Sequence, residues 1–338
     1  MNRFPPIEEL SNQYKRDDLF VCALGFEDRC TAGPERLEKS GYICKNGIML
    51  KYDTHVQEND KNREKLRKIL ENICETPFLT SDYFVTDPFK SESKFVDTLN
   101  MIAKQSSISS VTIDITSFSS VSIIQILDLL FHPTQKALKQ IRIIYTEAEK
   151  YFPLKEDIKK RMPEDVYLSS GVKEVITIPR FSGIFLPGYS TLLIIFLGFD
   201  PIRARGAINL FQPSKKIGII GFPPREDRKW RAEEVKRRNL KIFDEKDEMI
   251  LLSTFYYEET ILKLNELYEN FSPKSNIAIC PLGSKLQTLG VFLFIKKHPD
   301  VKLLFPTPVK FHPQRYSEGY NKTWQIIFEL KNNHEIYG

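Results

Sequence analysis

Residues 19–37 read LFVCALGFEDRCTAGPERL and residues 192–211 read LLIIFLGFDPIRARGAINLF. Both run from an apolar strand into Leu-Gly-Phe-acid and then into the basic start of a helix. Gly25 and Gly198 lie 173 residues apart. Three further pairs follow in the same order. GIMLKY at Gly47 matches GIIGFP at Gly218, an offset of 171. VTIDITSFSSVSII at Val111 matches IAICPLGSKLQTLG at Ile277, an offset of 166. IRIIYTEAEKYFP at Ile141 matches VKLLFPTPVKFHP at Val301, an offset of 160. Four collinear matches with steadily shrinking offsets imply an internal duplication, and repeats of this kind decide a fold before any local reading does.

Working outward, each half alternates short β-branched runs with amphipathic stretches. The first half predicts strands near Phe20–Leu24, Gly47–Tyr52, Tyr83–Thr86, Val111–Ile115 and Arg142–Tyr145. Helices are expected over Arg63–Ile73, Lys94–Lys104 and the almost wholly apolar Val121–Phe131. The second half predicts strands at Leu192–Leu197, Lys216–Gly221, Asn276–Cys280 and Val301–Phe305, with helices over Glu258–Asn270 and Lys285–Lys297. Strand–helix alternation builds βαβ units and a parallel sheet. The expected fold is α/β, two tandem Rossmann-like domains with mainly parallel sheets, covering residues 1–172 and 173–338.

The chain has 338 residues, enough for two ordinary cores. A net charge of +5 permits an anionic partner without demanding one. Five cysteines without a CxxC pair read as reduced, buried thiols of a cytoplasmic protein. The start MNRFPPIEEL lacks the apolar run of a signal peptide. Phe181–Phe199 is uncharged over a length near that of a bilayer, but Pro187, Gly188 and Ser190 interrupt it. It reads as a surface loop entering a buried strand, so no membrane partner is expected. The histidines His55, His132, His298, His312 and His334 show no ligand spacing, and no metal is expected. Neither GxGxxG nor a Walker A loop occurs, so no dinucleotide cofactor or P-loop triphosphate is implied.

In an open parallel sheet, ligands sit beyond the carboxyl ends of the strands where strand order reverses. The duplicated motifs lie at those ends. Gly25 and Gly198 let backbone approach a ligand closely. Glu27 and Asp200 occupy equivalent places, where each either caps a helix or accepts from a ribose hydroxyl. Arg29 and Arg203 follow, with forks that suit phosphate or a partner carboxylate. Asp114, Thr116 and Ser117 sit where a central strand meets an apolar helix, and Gly283, Ser284 and Lys285 do the same in the second half. Amides, hydroxyls and a lysine at a helix start form an anion site, while small residues there also serve as plain caps.

These turns resemble those of the CARF (CRISPR-associated Rossmann fold) domains, in which a strand is followed by a Thr-Gly-Gly-Thr-Lys-like turn opening a helix. PLGSKLQTLG at Pro281 is similar, with Ser284 and Lys285 in the hydroxyl and lysine places. DITSFSSVS at Asp114 keeps an Asp-x-Thr start but has Ser119 where the lysine would fall. The resemblance implies a sensor of cyclic or linear oligoadenylates, a nucleotide or oligonucleotide second messenger, within an anti-phage or CRISPR-linked system. It further implies one pseudo-dimeric groove shared by the halves and a separate effector protein. Unlike turns would hold a ligand asymmetrically.

Two other readings compete. One is a nucleotide-processing hydrolase of phosphodiesterase type, with Asp114 or Glu27 as base and Lys285 as phosphate clamp. The other is an interaction scaffold. The basic run Arg225–Arg238 leaves direct DNA or RNA contact open, but its interleaved acids favour a salt-bridged, solvated helix. Tyr316, Tyr320 and Trp324 are expected near the second copy's site.

Overall fold

The computed structural model describes residues 4–330 apart from 12, 14, 136 and 161, together with 336 and 337; His334 lies outside the described residues. In chain order the main strands are β1 (Arg16–Leu24), β2 (Ile43–Tyr52), β3 (Leu79–Tyr83), β4 (Ser110–Asp114), β5 (Gln140–Thr146), β6 (Ser190–Leu197), β7 (Lys215–Phe222), β8 (Glu248–Ser253), β9 (Ser275–Cys280), β10 (Lys302–Leu303) and β11 (Thr323–Leu330). The main helices are α1 (Ala32–Lys39), α2 (Arg63–Ile73), α3 (Pro88–Ala103), α4 (Ser120–Leu130), α5 (Pro201–Phe211), α6 (Trp230–Asn239), α7 (Tyr257–Phe271) and α8 (Lys285–Ile295).

The chain forms two compact units, residues 1–154 with 316–338 and residues 155–315. In the first, parallel strands run β3-β2-β1-β4-β5, and β11 adds to β5 antiparallel. In the second, all strands are parallel in the order β8-β7-β6-β9-β10. Each order reverses at its first strand, so each unit has the crevice of an open α/β sheet between its first and fourth strands. The middle stretches of the central strands are mainly apolar, as expected where a sheet is covered on both faces. In β1, Leu19 through Leu24 are buried without interruption, as are Leu192 through Leu197 in β6. Helix α8 shows the same logic, since every residue from Leu286 to Ile295 is buried.

The strand registers can be set against the sequence matches. Phe20 pairs with Thr112 and Leu193 with Ala278. Thr112 pairs with Arg142 and Ala278 with Lys302. Both agree with the first, third and fourth matches. The second match is displaced, because Phe20 pairs with Gly47 while Leu193 pairs with Lys216, two residues before Gly218.

The structure departs from expectation at four places. The third strand of the first unit is Leu79–Tyr83, not Tyr83–Thr86, because residues after Tyr83 prepare α3. Ser91 Oγ accepts from Phe84 N at 2.8 Å, and Asp87 accepts from Lys90 N at 2.9 Å as the cap. Strand β8 was hidden in the charged stretch before it and is an edge strand with a largely accessible first half. Residue 172 does not divide the units, for the unit change falls at Lys155 and the chain rejoins the first unit at Tyr316. Consequently Tyr316, Tyr320 and Trp324 belong to the first unit, with Trp324 in β11 opposite Tyr145 of β5. None of the helices among the described residues is long and apolar enough to cross a membrane. The run Arg225–Arg238 is laced by Arg225–Asp227 (2.9 Å), Lys229–Glu226 (2.5 Å) and Arg237–Glu234 (2.6 Å) pairs.

Candidate functional site

The six residues expected in the first unit converge on its crevice. Gly25 follows β1 and faces the turn after β4 so closely that a Cβ there would lie 2.8 Å from Ser117 Cβ. Ser117 Oγ has no hydrogen-bond partner among the described residues. Thr116 Oγ1 accepts from Thr146 N at 2.9 Å, and the Thr146 carbonyl accepts from Arg29 Nη1 at 3.1 Å. Arg29 Nε and Nη2 grip the Glu27 carboxylate, at 3.0 Å for the Nη2–Oε1 pair. Tyr145 and Tyr151 hydroxyls complete the guanidinium's surroundings at 3.3 and 3.4 Å. Burial works against the Arg29 charge, but Glu27, Tyr151 and Tyr145 outweigh it and hold the proton more tightly than usual. The fork thus takes a carboxylate inside the protein, the alternative that the sequence left open.

Asp114 is 2% exposed. Its Oδ1 accepts from Thr116 N at 2.9 Å, while Oδ2 has no hydrogen-bond partner among the described residues. Burial pushes its carboxyl up to about 6, against the lowering influence of the Thr116 hydrogen bonds and of Arg29. Neither acid is set up as an accessible base. Asp114 is sequestered, and Glu27 is neutralised by Arg29 and also accepts from Ser317 Oγ.

In the second unit the candidates lie at the carboxyl ends of β6 and β9. A Cβ built on Gly198 meets no atom within 4 Å. Asp200 caps α5 by accepting from Ile202 N at 2.8 Å, and it accepts from Ser169 Oγ at 2.5 Å. Arg203 gives Nε to the Pro306 carbonyl at 3.0 Å and lies over the Phe311 ring. Ser284 caps α8 in a reciprocal box, since its Oγ accepts from Gln287 N at 3.1 Å and its N donates to Gln287 Oε1 at 3.0 Å. Ser284 Oγ also donates to the Thr254 carbonyl at 2.6 Å. Gly283 lets Gln287 sit over the turn, because a Cβ there would be 2.4 Å from Gln287 Oε1. Gln287 is 2% exposed, yet its Nε2 has no hydrogen-bond partner among the described residues. Lys285 is the first residue of α8 and is half-buried.

Sequence reasoning missed a clamp common to both units. Asn62 Nδ2 donates to the Gly25 carbonyl at 2.8 Å and to the Glu27 carbonyl at 3.2 Å. Asn239 Nδ2 donates to the Gly198 carbonyl at 2.9 Å. The signal was an asparagine directly after a basic residue, downstream of the second strand of each half, at Lys61-Asn62 and Arg238-Asn239. It also missed the serines that hold the two acids, Ser317 and Ser169, because both arrive from distant segments.

No protein-family model matches the chain, and no curated protein matches it. Among solved structures the chain is similar to a Type III CRISPR defence DNA nuclease activated by cyclic oligoadenylate. Identity is 9%, the match covers 82% of this chain and 63% of that one, and the TM-score is 0.49. It is also similar to the cytoplasmic domain of a prokaryotic cation chloride cotransporter, at 11% identity over 87% and 96% of the two chains and a TM-score of 0.25. At such identities and scores the likenesses carry no functional weight.

Proposed function

We propose that the chain is a regulatory protein that binds a nucleotide, or another phosphate-bearing messenger, at the crevice of its second unit and signals to a separate effector. One observation carries this reading. At the α8 N-terminus the buried Nε2 of Gln287 has no hydrogen-bond partner among the described residues, and it sits beside Gly283 with Lys285 nearby. A buried donor without a partner is costly, and an anion at a helix start satisfies both it and the first-turn amides. The open approach at Gly198 adds room for backbone contact with such a ligand. The turn's resemblance to CARF sequences makes oligoadenylates the first ligands to try. The hydrolase reading draws less support, because Asp114 and Glu27 are both committed within the protein.

Calorimetric titration with AMP and with linear and cyclic oligoadenylates tests the proposal. The native protein should bind at least one of them, and Lys285→Ala should weaken that binding about tenfold or more, the worth of a charge-assisted contact. The thermal midpoint of the variant should stay unchanged. Equal affinities of the two proteins would move the site elsewhere, and no binding by the native protein would remove the messenger reading.

A further inference from the structure

Four of the five cysteines lie in the first unit, and two of them touch. Cys44 Sγ and Cys74 Sγ are 3.3 Å apart. Cys44 is in β2 and is fully buried; Cys74 ends α2 and is partly exposed. The two are parallel bridge partners, held in register by the Glu75 N to Cys44 O hydrogen bond at 2.9 Å. Bridge partners project to the same face, and neighbouring strands are about 4.8 Å apart. That lies inside the range of about 4.4–6.8 Å between Cα atoms that a disulfide accepts. Gly47 leaves the space that Cys74 fills, since a Cβ there would be 2.6 Å from its sulfur.

We propose that Cys44 and Cys74 are an oxidative modification site, closed to a reversible disulfide by exchange with a low-molecular-weight disulfide. Cys74, the accessible partner, attacks the external disulfide as thiolate; a mixed disulfide forms and one external thiolate leaves. Cys44 then attacks the Cys74 sulfur and loses its proton to the departing second thiolate. The protein dithiol is oxidised, and the external disulfide is reduced to two thiols. The hydrogen bond with Cys74, together with burial, holds the Cys44 thiol far above the usual thiol range, so the first attack falls to the accessible Cys74. The bond would tie β2 to the end of α2, at whose other end the N-cap Asn62 holds Gly25.

The test uses the full chain, treated with oxidised glutathione, denatured, alkylated and mapped by mass spectrometry. Alkylatable thiols should fall from five to three, with a linked Cys44–Cys74 peptide that dithiothreitol removes. Cys44→Ser should stop at a glutathione adduct on Cys74, and Cys74→Ser should form neither product. Five thiols retained by the native protein would overturn the proposal. A stable adduct on native Cys74 with Cys44 still alkylatable would do so as well. The native mapping stands even where Cys44→Ser fails to fold.

Discussion

Asn239 holds the Gly198 carbonyl at 2.9 Å in the second unit as Asn62 holds the Gly25 carbonyl at 2.8 Å in the first. In each case the glycine directly follows the central strand, where the chain leaves the sheet and its carbonyl loses a ladder partner. Such a carbonyl needs a donor from elsewhere. The asparagine comes from the helical connection after the second strand, so one side chain fixes the floor of the crevice.

Asn62→Ala and Asn239→Ala should therefore each cost about 1–3 kcal/mol of stability, as expected for a carbonyl left without its donor. Urea denaturation of the two variants measures it. Losses near zero at both sites would mean that the clamp is incidental.

The fold was legible because the central strands are buried on both faces and contain little else than apolar residues. A strand such as Leu192–Leu197 can be read without knowing its neighbours. Strand β8 could not, since an edge strand needs only one apolar face and follows a run of charge. The return of Thr323–Leu330 to the first unit was invisible too, because its pairing with Gln140–Thr146 is set by a distant partner rather than by local pattern. At the site, glycines and caps announced themselves at strand ends. Ser317 on Glu27, Ser169 on Asp200 and Asn62 on Gly25 did not, because each is supplied by a remote segment.

Stability should depend on pH through Asp114. Its ordinary value is 3.8, and burial, the largest influence, raises it to about 6 in the folded state. A folded value above the unfolded one gives stability that is present below the unfolded value and is lost as pH rises through about 6. Asp114→Asn cannot ionise and keeps an acceptor for Thr116 N. Its stability relative to the native protein should rise between about pH 4 and 7 by on the order of 2–3 kcal/mol. Thermal melts of both proteins across that range decide, and a flat difference would show that Asp114 does not titrate there.

Glu27 and Arg29 form a pair with only 10% and 6% of their side chains exposed. Removing one partner of a buried pair strands the other charge and typically costs about 3–5 kcal/mol. Glu27→Ala should lose that much, whereas Glu27→Leu with Arg29→Met should lose less, since no charge is left behind. Guanidinium titrations of the single and double variants check the order. A double variant as unstable as the sum of its parts would refute the pairing argument.

Gly33 sits early in α1 against the Asp114 carboxyl. Replacing a helical glycine by alanine ordinarily gains roughly 0.5–1 kcal/mol. Here the new Cβ would lie 2.5 Å from Asp114 Oδ2 and 3.2 Å from Ile144 Cδ1. Asp114 is pinned through Oδ1 to Thr116 N, so it cannot swing aside without losing that hydrogen bond. The helix must shift instead, and overpacking of this kind costs about 1–3 kcal/mol, enough to reverse the sign. Gly33→Ala should thus be destabilising, and Asp114→Ala should rescue it in a double-mutant cycle, because the two groups share one space. Denaturant titrations of the four proteins supply the cycle. Additive effects, or a stabilised Gly33→Ala, would show that α1 has slack against the sheet and that glycine is not required there.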